Sequence, residues 1–232
     1  MNSELTFKAG VKDVVPTLFG YIGVGIAFGI IGHTSHLSIL MIAFMSFWVY
    51  AGSAQFIIAN MILVHDPISA IAISTFLVNS RMILMATTLA QYFRKDSILN
   101  NIGIGILTTD ETFALAMNKL NRTKQHLTAR WQHAANLLAY LIWILATIVG
   151  AWIGSLISSP EKFGLDFALV AMFIGLVYLQ LITDKTKGFR TQLLVMLFVV
   201  ICLYFSMAVM SANIAVLFST ILGCAFGMVI DK

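Results

Sequence analysis

Seven long apolar runs follow one another along this chain, and that succession limits the possible folds more than any other feature. A helix needs about 20 apolar residues to cross the hydrocarbon core of a bilayer. Runs of that order lie at Val14–Gly32, Leu37–Val64, Pro67–Phe93, Trp131–Ile157, Phe167–Thr183, Leu193–Val209 and Ile214–Ile230. They are far longer than the roughly 10-residue alternating segments of a membrane barrel, so helices are expected. Only 10% of the residues are charged and 59% are hydrophobic, against about 25% charged in ordinary soluble domains. A water-soluble globule of this composition could not keep its surface wettable. The sequence therefore predicts an all-α fold: a polytopic membrane helical bundle, one domain over residues 1–232. About seven transmembrane helices are expected, or eight if Ile98–Leu120 also crosses.

Ile98–Leu120 starts apolar and is then interrupted by Asp110 and Glu111. A crossing, a re-entrant pair of half-helices and an interfacial helix all fit it. Lys8 and Lys12 ahead of an apolar stretch resemble the start of a signal peptide. However, Val14–Gly32 is long for such a segment and lacks a clear small-residue cleavage site, so it is expected to be a retained span.

The net charge of +4 reads as topology information rather than a nucleic-acid footprint. Lys119, Arg122, Lys124 and Arg130 precede the Trp131 run, and Lys185, Lys187 and Arg190 follow two runs later. Both loops, and the C-terminus, are expected on the cytoplasmic side. The N-terminus falls inside if Ile98–Leu120 crosses and outside if it does not.

Two of the long runs carry polar interruptions. Ala51-Gly52-Ser53-Ala54-Gln55 lies inside Leu37–Val64, and Asn79-Ser80-Arg81 lies near the middle of Pro67–Phe93. Both are expected to break their helices near the midplane, where transporters place binding sites because interrupted helices offer free backbone groups. Arg81 is the most informative residue. A charge that deep costs about 2.5–3.5 kcal/mol on insertion scales, so something must compensate it. Either it meets a substrate carboxylate or gates it, or it forms a lasting ion pair with Asp110, Glu111 or Asp166; the two can overlap.

Asp110 and Glu111 could carry a coupling proton, since a desolvated carboxylate can cycle near neutral pH. Alternatively they cap the following helix. Gly52, Ser53 and Gln55 supply a flexible backbone, a hydroxyl and an amide able to hold an ammonium, a carboxylate or a water; helix–helix hydrogen bonding would use the same groups. Asn60 and Asn79 share that ambiguity.

Glycines four apart (Gly25 and Gly29, Gly150 and Gly154, Gly223 and Gly227) form small-residue ridges that let helices approach closely. The glycine run from Gly20 to Gly29 lacks the strand and lysine context of a phosphate loop. Cys202 and Cys224 suit packing rather than a disulfide framework or a metal. His33, His36, His65, His126 and His133 match no metal or nucleophile motif. No cofactor is expected, and the lack of a paired nucleophile and base argues against an enzyme.

Several stretches, read in order, resemble the AzlC/YgaZ family of branched-chain amino acid exporters. They are Pro16 with the glycine run ending AFGIIG, MSFWVYAGSAQFIIA at Met45–Ala59, VNSRMILMATTLA at Val78–Ala90, LTTDETFAL at Leu107–Leu115 and GLDFALVAMFIGL at Gly164–Leu176. Ala27 departs from the family pattern, which has proline before Phe-Gly. The resemblance implies the large subunit of an exporter for valine, leucine, isoleucine and similar neutral amino acids. It also implies a proton-driven secondary transporter of the cytoplasmic membrane, working with a small hydrophobic AzlD/YgaH-type membrane subunit. The motif residues carried over are Gly52, Ser53, Gln55, Asn79 and Arg81 as the expected substrate-binding set, with Asp110 and Glu111 for proton coupling. A passive channel for a small solute and, less favoured, a membrane-embedded enzyme or a scaffold for a partner are the rival readings.

Overall fold

The computed structural model describes residues 3–124, 126–157, 188–210 and 212–230, with positions 167, 170, 171, 174, 175, 177, 178 and 181. The helices are α1 (Phe7–Thr34), α2 (Ile39–Trp48), α3 (Gly52–Leu63), α4 (Ile68–Ala90), α5 (Ile98–Ile106), α6 (Asp110–Arg122), α7 (Ala129–Gly154), α8 (Phe189–Met207) and α9 (Ala212–Ile230). No strand occurs among the described residues. The fold is all-α, as the apolar runs require. Two compact units partition the chain, residues 1–176 and 177–232. Among the described residues, four helices are long and apolar enough to cross a membrane: α1, α4 with its 3-10 extension to Phe93, α7 and α8. Shorter apolar helices complete the set: α2, α3 and the stretch Ile214–Ile230. Most of the expected Phe167–Thr183 run, with Asp166, Lys185 and Lys187, lies outside the described residues.

The frame of the first unit is the pair α1 and α7, which meet through their glycines. A Cβ at Gly29 would run into the Thr147 carbonyl oxygen, with Ala151 N at 2.5 Å, and one at Gly150 would strike the Ile26 carbonyl. At Gly25 it would stand 2.8 Å from the Ala146 methyl. The ridges read from sequence thus bring two backbones into direct contact, the arrangement small residues permit in membrane helices. In the second unit, the glycines of α9 face side chains of α8 instead: Gly223 lies against Val199 and Gly227 against Val195. Phe198 and Phe226 stack between them with centroids 4.1 Å apart.

Of the two predicted helix breaks, one is present. The Leu37–Val64 run divides into α2 and α3 at Val49-Tyr50-Ala51, where Ala51 takes an extended conformation (φ −152°, ψ 95°). The predicted break at Asn79-Ser80-Arg81 is absent, and α4 runs continuously through it. The reason is local. Ser80 donates its hydroxyl to the Leu77 carbonyl at 2.7 Å, so its polarity is absorbed by the helix's own backbone, and α4 contains neither glycine nor proline. Ile98–Leu120 is no continuous crossing. It forms two short helices, α5 and α6, parted at Leu107-Thr108-Thr109.

Backbone groups freed by a break need partners where water is scarce, and α7 supplies them. Its Tyr140 hydroxyl donates to the Phe47 carbonyl near the end of α2 at 2.8 Å. Its Asn136 amide donates to the Ile104 carbonyl near the end of α5 at 3.2 Å. Both residues share one face of α7, being four apart.

Candidate functional site

The two breaks converge. Tyr50, Gly52 and Ser53 at the start of α3 and Thr109, Asp110 and Glu111 at the start of α6 line one cavity, closed by Tyr21 of α1, Met82 of α4 and Trp143 of α7. Its volume is about 20 Å³, room for a single water molecule.

Arg81 joins the walls of this cavity. Its Nη2 lies 2.8 Å from Asp110 Oδ2 and donates to Ser53 Oγ at 2.8 Å. One guanidinium therefore ties α4 to the N-terminal turns of both half-helices. The Arg81 and Asp110 side chains keep 32% and 18% exposure, so the pair is partly buried rather than sealed. Charge compensation by Asp110 explains how an arginine is accommodated within a long apolar helix. The sequence offered Asp110, Glu111 and Asp166 as partners; among the described residues Arg81 pairs with Asp110, and Asp166 lies outside them.

The helix starts differ in how their backbone donors are met. Thr109 and Thr112 form a capping box at α6, with Thr109 N donating to Thr112 Oγ1 at 2.9 Å, and Asp110 and Glu111 occupy the first turn, where the helix dipole favours acids. Thr109 is also hydrogen-bonded through its hydroxyl to Tyr21. At α3 the N-cap position is Ala51, which has no side-chain oxygen and makes no capping bond. The Tyr50 hydroxyl beside it is buried without a hydrogen bond of good geometry.

Of the residues singled out in sequence, Gly52, Ser53, Arg81, Asp110 and Glu111 come together here. Gln55 and Asn79 do not line the cavity. Gln55 is fully buried and engaged at both ends of its amide: Trp143 Nε1 donates to its Oε1 at 2.9 Å, and its Nε2 donates to Ser46 Oγ at 3.1 Å. Ser46 and Thr147 share a further bond of 2.8 Å. Asn79 is half-buried on α4, and its Oδ1 is buried without a hydrogen bond. Asn60 is exposed.

Tyr21, Tyr50, Met82, Thr109 and Trp143 escaped the sequence reading. A signal for part of this was present. Gln132, Asn136, Tyr140, Trp143 and Thr147 recur at spacings of three and four within one apolar run, which places them on a single helix face. That face carries the indole and meets both breaks.

A second ion pair lies at the other end of α6. Lys119 Nζ sits 2.8 Å from Asp13 Oδ2, which also accepts from Trp131 Nε1 at 2.9 Å. The helix that begins at the cavity with Asp110 is thus also fastened to α1 near its far end.

Known proteins resemble the chain in sequence. The relatives include the branched-chain amino acid transport protein AzlC of Bacillus subtilis, 27% identical over 184 residues, which are 77% of this chain and 69% of the relative. The inner membrane protein YgaZ of Escherichia coli is 29% identical over 178 residues, 73% and 71% of the two chains. A membrane protein of Helicobacter pylori, itself uncharacterized, is 27% identical over 198 residues, 85% and 84% of the two. No solved structure matches the chain. The profile of the family described as AzlC protein matches residues 16–157, a stretch that holds both helix breaks, the Arg81–Asp110 pair and the whole cavity lining. With more than half of its length so matched, the chain belongs to the AzlC family.

Proposed function

We propose that this chain exports neutral amino acids with branched apolar side chains across the cytoplasmic membrane, in exchange for protons. Family membership supports a role in membrane transport, and the name of the Bacillus subtilis relative supports the substrate class. The reading makes residues 1–232 a single multi-pass transport domain, partnered by a small hydrophobic AzlD/YgaH-type membrane subunit.

One observation carries it: the uncapped start of α3 stands beside the Arg81 guanidinium, whose charge Asp110 compensates in part. The N-terminus of a helix concentrates unsatisfied N–H groups and positive potential, which suits a carboxylate. Asp110 holds Arg81 in place, and the guanidinium adds its field next to Gly52 and Ser53. The substrate carboxylate binds at this end of α3. Its ammonium turns toward the first turn of α6, where Glu111 lines the cavity.

Coupling follows from competition. An ammonium and a proton both need the Glu111 carboxylate, so the site holds one or the other, and carrying them in opposite directions exchanges amino acid for proton. A cavity of about 20 Å³ admits no amino acid, so α3, α4 and α6 must part during the cycle. The bonds from Arg81 to Ser53 and Asp110 are the contacts that have to yield. Such rearrangement around a fixed midplane site is the alternating-access pattern of secondary transporters.

The test is uptake of labelled leucine into inverted vesicles, with and without an acid lumen and with and without the co-expressed small subunit. Saturable uptake stimulated by the acid lumen is expected. Linear, gradient-insensitive flux would indicate a passive channel instead, and no flux under any condition overturns the proposal.

A further inference from the structure

We infer that Trp143 is the wall that selects substrates by side-chain size, and that Gln55 acts through it as a positioning residue. The inference rests on the transport reading above and deepens it. Trp143 is buried and lines the cavity. The six-membered end of its indole faces Gly52: a Cβ there would stand 2.9 Å from Cη2 and 3.3 Å from Cζ2. Whatever binds its carboxylate at the start of α3 therefore has its α-carbon beside an apolar ring edge, where a branched side chain is favoured over a polar one.

The indole is held from several directions. Tyr21 meets it edge-on at 5.8 Å between centroids, and Phe28 stacks at 6.5 Å with an interplanar angle of 14°. Its Nε1–H is fixed by Gln55 Oε1 at 2.9 Å, and Gln55 is anchored in turn through Ser46 to Thr147. That chain connects α7 to both half-helices of the break, since Ser46 belongs to α2 and Gln55 to α3. A ring so clamped has a fixed edge, and a fixed edge can discriminate by volume. A loose one would accommodate substrates of many sizes. The buried amide at position 55 thus acts on the substrate indirectly, by orienting the surface the substrate touches.

The experiment measures uptake of alanine, valine, leucine and phenylalanine into inverted vesicles carrying the full chain, read as relative kcat/KM. Trp143→Phe shortens the wall and is expected to shift the phenylalanine-to-valine ratio roughly tenfold toward the larger substrate, the scale a hydrophobic pocket allows per methylene. Gln55→Leu leaves the indole N–H unheld and is expected to shift the ratio in the same direction. Gln55→Glu keeps an acceptor for the indole N–H and, with the Ser46 hydroxyl donating to its second oxygen, should keep the wild-type ranking. If Trp143→Phe and Gln55→Leu lower transport of all four substrates by one common factor, the two residues serve packing alone and the inference is overturned while the transport reading stands. If the wild-type chain moves none of the four, both fall together.

Discussion

Where α2 gives way to α3 the chain offers its backbone no side-chain cap, whereas where α5 gives way to α6 a pair of threonines closes the helix start from both sides. The half-helices are alike in length, 12 and 13 residues, and both begin at the same cavity. Their difference is chemical. The start of α6 satisfies its own donors and adds two carboxylates, so it presents net negative charge. The start of α3 leaves donors to be satisfied by something else and has Arg81 alongside, so it presents net positive character. A zwitterion with a carboxylate at one end and an ammonium at the other matches that pair of poles. Helix ends can thus define the polarity of a site before any side chain is assigned to a ligand.

The two helix starts share one element, the Arg81 guanidinium. Arg81→Ala withdraws the positive field at α3 and leaves Asp110 without its ion pair; it should lower transport by roughly 10- to 100-fold, what losing one charged contact does to a bound anion. To separate function from charge burial, Arg81→Ala can be combined with Asp110→Asn. The double variant removes the uncompensated carboxylate and should recover thermal stability in detergent, but not transport. Recovery of transport would make the ion pair purely structural. Glu111→Gln comes next. It removes the group for which proton and ammonium compete, so stimulation by an acid lumen should vanish while some substrate-for-substrate exchange persists. A variant that still responds fully to the gradient would exclude Glu111 as the coupling carboxylate.

Legibility in the sequence varied along the chain for physical reasons. The glycine ridges could be read as close helix contacts because glycines four apart have one dominant use in lipid, and the contacts at Gly25, Gly29 and Gly150 are of that kind; that they join α1 to α7 depended on the fold. The break before Gly52 could be read because small and polar residues interrupt an apolar run. The same reasoning failed at Asn79-Ser80-Arg81: polarity breaks hydropathy, but a helix breaks only when its backbone bonds do, and Ser80 returns its hydroxyl to the helix backbone. Gln55 was legible as a polar residue at depth but not as one turned toward Trp143, because that partner lies 88 residues along the chain. Arg81 was readable as needing a carboxylate; which one depended on the fold bringing α6 alongside α4.

A gentler test alters α3 alone. Ala51→Ser adds a hydroxyl at the N-cap position, where it can accept a bond from the first turn. If the open donors of α3 receive the substrate carboxylate, the new hydroxyl competes with it. Apparent stability should rise by about 0.5–2 kcal/mol, while KM for leucine rises several-fold. A stabilised variant with unchanged KM would place the carboxylate elsewhere.

The smallest effect is expected from the mirror substitution at α6. Thr109→Val deletes the cap side chain and its bond to Tyr21, which should cost about 1 kcal/mol of stability, read as a lower unfolding midpoint in detergent. Because the ligand is not bound through the cap of α6, KM should stay within about twofold of wild type at temperatures where the variant is folded. Taken with Ala51→Ser, this gives opposite signs: adding a cap at α3 stabilises and impairs binding, and removing one at α6 destabilises and spares it. Should Thr109→Val raise KM as strongly as Ala51→Ser, both helix starts contribute donors to the ligand, and the division into a positive and a negative pole fails.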